Sequence, residues 1–529
     1  MFMTRPIARL FAILAAFAIV LGACSGGTST TSGGSGTPNA GTPVAGGTLA
    51  FALENDLING DPLLSTAFVD RNIHYLIYDT LLRSDPKGII VAGLATKWET
   101  SSDGKTFTLT LREGVNYQDG TSFNADSVKW NLDRYRTDAK SQRKGELGSV
   151  DSVTVVDAKT VKLNLKAPFS PLAAQLVDRA GMMLSQKAVE AGGADFTRKP
   201  VNAGTGPFAF VEAVKDDHIT LAKNPNYWEK DKDGNKLPYL DKITIKPITD
   251  GTVRVTQLKT GDVQAANNIP GKDVADMRNS TDLTWIEAPN FGFNSIILNN
   301  APGNVFSEVK YRQAVATAID RQELLDKVSF GVGAVGYGPI APAHFAYDPT
   351  FKPFTVDPAK AKSLVDSVGK GPLSFTLIIS AGDATQVQFA TLIQAQMQKA
   401  GIDMKIQSLE FAQILDQQTK HIFKDATLVG WSGRLDPDGN TYDHIVTGKP
   451  FNDASYSSSV VDQAMDQQRT LADPAARKPL LRKAEETVVN EAGRVWYSFR
   501  ITGIATAKKV HGVDAYPDGI IRFAYAWIK

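Results

Sequence analysis

The sequence predicts an α/β protein of at least two lobes, and three observations carry that expectation. The chain has 529 residues, 43% hydrophobic and 21% charged. That is a soluble composition, and the length exceeds what one hydrophobic core ordinarily organises. The first folded part reads as alternating strands joined by tight turns, with a helix among them. From about residue 305 strands and helices alternate, which is the rhythm of a wound parallel sheet.

The N-terminus comes first. Arg5 and Arg9 precede Leu10 to Leu21, an apolar run of twelve residues. The run is short for a bilayer span and suits a signal peptide. It ends in Leu21-Gly22-Ala23-Cys24, which resembles the bacterial lipobox. The resemblance implies cleavage after residue 23 and a lipid anchor on Cys24, the sole cysteine. A single acyl chain holds a membrane only marginally, so anchoring implies more than one. Residues 24–46 are almost wholly Ser, Gly, Thr, Pro, Ala and Asn, a composition that buries no apolar area. They are expected to form a disordered tether. The apolar stretches Gly88 to Gly93 and Ser295 to Leu298 are too short to cross a membrane.

In the first folded part, Phe107, Leu109 and Leu111 alternate after an Asp103-Gly104 turn. Val153 and Val155, then Val161, Leu163 and Leu165, flank Asp157-Ala158-Lys159-Thr160 as a hairpin. Between these segments Asn124 caps a helix whose Val128, Leu132 and Tyr135 share one face. In the later part, Ser307 to Val328 reads as one helix and Leu373 to Ser380 as a strand. Thr385 to Ala400 is a helix stopped by Gly401. Met404 to Leu409 is a strand, Phe411 to Lys420 a helix, and Ala426 to Trp431 a strand. Asp473-Pro474 opens a last helix, and Val495 to Phe499 is a closing strand.

Charge and motif content exclude several functions. Net charge is +1, and loss of Arg5 and Arg9 with the leader lowers it by two, to −1. Such a body has no general attraction to nucleic acid. Residues 331–336 match GxGxxG, but a helix precedes them and Tyr337-Gly338-Pro339 follows, the wrong context for a dinucleotide site. Asp231 to Asn235 and Asp436 to Asn440 open no loop with Gly at position six and Glu at position twelve, which a calcium loop requires. The histidines form no HxxxH or HxH pair, so neither a metal nor a cofactor is expected. No GxSxG is present and no cysteine is free to act as a nucleophile, so no catalytic residue is assigned.

Several segments, in order, resemble one family: the extracytoplasmic solute-binding proteins of peptide/nickel-type ABC importers (family 5). These are Leu94-Ala95-Thr96-Lys97-Trp98-Glu99 with Asp103-Gly104-Lys105; Gly204-Thr205-Gly206-Pro207-Phe208 with Asn224-Pro225-Asn226-Tyr227-Trp228; Val309-Lys310-Tyr311-Arg312-Gln313-Ala314 with Ala318-Ile319-Asp320-Arg321; and Gly430-Trp431 with Asp436-Pro437-Asp438. The resemblance implies a two-lobed, type II-like periplasmic-binding-protein fold with an extra β-rich subdomain at about 82–203. Lobe I would be 47–290 plus 500–529 and lobe II 291–499, with crossings near Pro289-Asn290-Phe291 and Ser498 to Ile501. It also implies a non-enzymatic function: capture of a peptide or peptide-like solute between the lobes and delivery to a permease and ATPase complex. The protein would be a monomer, extracytoplasmic, and lipid-anchored to the outer face of the bacterial cytoplasmic membrane or periplasmic.

The expected ligand-binding residues are Trp431, Arg434, Asp436, Asp438 and Asn440, where a wound sheet gathers ligands, together with Asn290 and Phe291 at the crossing. In peptide-binding members an aspartate shortly after that tryptophan meets the peptide amino terminus. Here Arg434 stands in its place. Either Asp436 takes the role, or the solute lacks a free amino terminus. Arg434 bracing Asp436 or Asp438 is the structural alternative. Two functional alternatives stay open: a sensor or adhesin of the same fold, and an importer component for an opine, a sugar derivative or a nickel chelate.

Overall fold

The computed structural model describes residues 41–529. The leader, Cys24 and most of the tether lie outside the described residues. No described helix is long and apolar enough to cross a membrane.

Two long strands organise the molecule. Leu283–Leu298 and Val495–Ala507 pair antiparallel along their length. The pairing is interrupted midway, between Pro289 opposite Ile501 and Phe293 opposite Phe499. Beyond the interruption, Phe293 to Leu298 pair antiparallel with Ala426–Trp431, which leads through parallel pairings to Ser374–Ser380 and Asp403–Leu409. On the near side, Ile504 to Thr506 pair with Ala265–Asn267, which leads to Thr48–Leu53, Lys242–Pro247, His218–Lys223 and Phe208–Val214. Two half-sheets thus share one pair of strands.

The cores divide at the same place. One apolar cluster draws on residues 49–265 and 504–526, and two others draw only on residues 293–499. This is a two-lobed arrangement, each lobe burying its own apolar faces. Apart from the main sheet, a four-stranded antiparallel sheet runs Ala95–Thr100, Thr106–Leu111, Thr160–Leu165, Val150–Asp157. Helix Ala125–Thr137 packs on it through Val128, Leu132 and Tyr135, all buried. Asn124 and Ser127 exchange side-chain to backbone bonds at 3.0 and 3.1 Å, a capping box that fixes where the helix starts.

Two expected elements differ. The predicted helix 307–328 is two, Val309–Ala318 and Arg321–Lys327. Ile319 is extended, and the Asp320 carboxylate accepts the Glu323 N–H at 2.9 Å, starting a new helix inside an unbroken apolar pattern. The closing strand continues well past Phe499, to Ala507, because it serves both half-sheets.

Candidate functional site

A cavity of about 320 Å³ opens where the long strands cross, and both lobes wall it. A second cavity, of about 670 Å³, is lined only by residues 319–356, 482, 485 and 499. All of that wall belongs to one side of the crossing, so lobe movement cannot close it. The first is therefore the candidate site.

The crossing itself is tied. Asn290 Nδ2 donates to the Thr502 hydroxyl at 2.7 Å, and its Oδ1 accepts the Gly292 N–H. The strand Ala426–Trp431 delivers Trp431 opposite Phe293. The chain then passes directly over Phe291 and Gly292. Gly433, at φ +85°, allows this, since a Cβ there would overlap the Phe291 carbonyl carbon. Trp431 packs edge-on to His444, with centroids 4.3 Å apart, and lies under the Arg434 guanidinium at 4.2 Å.

Of the expected ligand-binding residues, Trp431 and Asn290 line the cavity. The others stand behind its wall with partners of their own. Asp436 is held bidentately by Arg477, both contacts at 2.7 Å. Asp438 is fully buried against Arg469 at 2.7 and 2.8 Å, with Gln468 at 2.5 Å. Asn440 Oδ1 accepts from Trp431 Nε1 at 3.1 Å and Arg434 N at 2.9 Å, while its Nδ2 donates to the carbonyls of Phe291 at 2.7 Å and Pro339 at 3.0 Å. Phe291 stacks on His344 with centroids 4.7 Å apart. His344 Nδ1 accepts the Ala341 N–H at 3.0 Å and Nε2 donates to the Arg434 carbonyl at 2.9 Å. Burial lowers its pKa to about 4, so the ring is neutral.

Arg434 braces neither Asp436 nor Asp438. Its Nε reaches Asp178 at 2.7 Å, across the lobes. Arg71 spans the same gap, at 2.8 Å from Asp178 and donating to the Ser432 hydroxyl at 2.6 Å. Burial alone would raise the Asp178 pKa, but Arg434, Arg71 and Arg179 together hold it well below the carboxylate range.

The sequence pattern did not single out Arg71, Arg179, His444, Phe451, Asp453 and Arg494, all of which line the cavity. One signal was there: Asp178-Arg179 sits inside the apolar run Leu176 to Leu184. A charged pair there is either buried and satisfied or placed for a ligand. Arg494 Nη1 donates to His444 Nδ1 at 3.3 Å, which puts the imidazole proton on Nε2. Burial, then Arg494 and Arg434, lowers the His444 pKa well below its ordinary value. Burial raises the Asp453 carboxyl to about 7, against the pull of Arg494. Hydrogen-bonding groups, aromatic faces and two-lobed walls suit reversible capture of a small polar solute.

Among the described residues, no group of three or more His, Cys, Asp or Glu side chains could hold a metal. The family described as bacterial extracellular solute-binding proteins, family 5 Middle, matches residues 90–453. The glutathione-binding protein GsiB of Salmonella typhi is 29% identical over 494 residues, 91% of this chain and 94% of that protein. The Helicobacter pylori periplasmic binding protein DppA in complex with the peptide STSA is similar in structure. It has a TM-score of 0.83 and 25% identity, covering 92% of this chain and 98% of that one. AgaA in complex with agropinic acid, from A. tumefaciens R10, superposes with a TM-score of 0.83 at 24% identity, covering 91% of this chain and 99% of that one.

Proposed function

Because the chain belongs to family 5 of the bacterial extracellular solute-binding proteins, we propose that it is the capture component of an ABC importer. It takes a peptide or peptide-like solute into the cleft at the strand crossing and hands it to a permease and ATPase complex. Lobe I comprises 47–290 and 500–529, with the β-rich subdomain at about 82–203, and lobe II comprises 291–499. The protein acts as a monomer outside the cytoplasm, tethered through lipid on Cys24.

One observation carries this reading. The cavity is walled from both sides of the crossing, and residues of the two sides bond each other at its edge through Arg71, Asp178, Ser432 and Arg434. Such a site works by shifting a population from open to closed, without chemistry. The relatives named for glutathione and for a bound peptide support a peptide-like solute. The neighbour holding agropinic acid supports a second reading, an opine, which the cation Arg434 after Trp431 also favours. Mass spectrometry of small molecules released on denaturing the purified protein tests both. A peptide or modified peptide is expected. A recovered opine would replace the first reading with the second, and a sugar would defeat both.

A further inference from the structure

Two buried carboxylates meet where the lobes touch. Asp443 belongs to helix Asp438–Ile445 of lobe II, one residue before His444 in the cavity wall. Glu146 belongs to the short helix Lys144–Leu147 of the β-rich subdomain. The Asp443 carboxylate lies against the Cα of Gly145, since a Cβ there would overlap both of its oxygens. The seam between the lobes thus closes directly over an acidic group. Both acids are buried. Asp443 Oδ1 and Glu146 Oε2 have no hydrogen-bond partner.

The cations around Asp443 are engaged elsewhere. Arg469, from helix Ser459–Arg469, holds Asp438 at 2.7 and 2.8 Å. Arg143 donates to Glu146 at 2.5 Å and to the Ser65 carbonyl at 3.0 Å. Lys449, beyond the end of the Asp443 helix, stands over the Tyr442 ring, 5.0 Å from its centroid. Negative charge faces Asp443 from both lobes: Asp438 on its own helix and Glu146 across the seam. A buried carboxylate without donors is costly while ionised, and protonation removes that cost. Burial above all, against the pull of Arg469 and with repulsion from Glu146 and Asp438, raises the Asp443 carboxyl to about 6. Opening the lobes draws it away from Gly145 and Glu146 and admits water, which returns it toward its ordinary 3.8.

We propose that the seam of Asp443 against Gly145 and Glu146 is an acid-sensitive latch: the lobes close more readily when Asp443 carries a proton, so capture is favoured in mildly acidic surroundings and relaxed at neutral pH. The proposal rests on the reading of the two lobes as closing over a solute. A carboxyl raised in the closed form favours that form below its ordinary value, and the preference is lost as pH rises through about 6. Between pH 5.0 and 7.5 the closed form should lose about tenfold against the open one.

The test is solution scattering of the solute-free full chain at pH 5.0 and 7.5. The unaltered protein should have the smaller radius of gyration at pH 5.0. Asp443→Asn keeps the size of the side chain and cannot ionise, so it should stay near the smaller radius at both pH values. Where Asp443→Asn does not fold, Asp443→Ser also removes the charge and decides in its place. Equal radii of the unaltered protein at the two pH values overturn the latch. So does a pH change that survives in the neutral variant at more than half its size, which would assign it to other groups. Asp453 is the first of these, a cavity-lining carboxyl that burial raises to about 7. Neither result touches the capture reading, whose own test is the chemistry of the solute recovered on denaturing.

Discussion

Asn440 shows how a residue beside a ligand site can matter without touching ligand. Its amide satisfies two donors and two acceptors on three separate segments, at Trp431, Arg434, Phe291 and Pro339. Asn440→Ala leaves those groups buried and unpaired, and should lower stability by at least about 2 kcal/mol in urea unfolding. Trp431→Ala should instead weaken solute binding by about 1–3 kcal/mol, read by titration, because Trp431 lines the cavity. Asp436→Asn separates the two roles again. It breaks the paired contacts to Arg477, so urea stability should fall while solute affinity stays within a factor of two. Loss of affinity with unchanged stability would return Asp436 to the cavity. The residue types in 431–440 were legible in the sequence, and their partners were not. Arg469 and Arg477 lie 31 and 41 residues along the chain from the carboxylates they hold, and Asp178 lies in the other lobe. Nothing local in sequence encodes such pairings, since tertiary packing alone brings them together.

At the scale of elements, periodicity found most strands and helices, because each buries one regular face. It failed where a polar residue inside an apolar pattern restarted a helix, at Asp320. Asp320→Ala should cost about 1 kcal/mol of stability, as for other lost caps. The docking of helix Pro474–Asn490 onto the segment around Ile340 makes a sharper case. Glu485 accepts the Ile340 N–H at 3.2 Å and a bond from Arg482 at 2.6 Å, and a Cβ on Gly338 would overlap its carboxylate. Burial raises its pKa to about 7 despite Arg482. A carboxyl raised above its unfolded value of 4.5 contributes stability that is present below that value and lost as pH rises to about 7. In Glu485→Gln that loss is absent. The variant's melting temperature relative to the unaltered protein should therefore increase between pH 4.5 and 7.5. A difference that does not change with pH would show that Glu485 does not titrate in this range.

For the whole molecule, the family order of motifs made the two-lobed fold legible, and the pairing of the two long strands breaks between Pro289 and Phe293. What spacing could not reveal is how the lobes meet. They share two strands, so bending at the crossing disturbs few hydrogen bonds, and contacts elsewhere must set the balance of open and closed forms. The Arg434–Asp178 and Arg71–Ser432 contacts are such ties, and both are buried. Arg434→Gln removes a charged link across the gap. Its loss should cost the closed form alone, because in the open form water solvates both partners. The solute-free variant should then show a larger radius of gyration in solution scattering than the unaltered protein. Its solute affinity should fall about tenfold for each 1.4 kcal/mol by which the balance moves. Saturating solute should return both proteins to one radius, because bound solute replaces the lost tie. An unchanged radius together with unchanged affinity would mean that the ties brace the wall without holding the lobes, and that solute contacts alone drive closure.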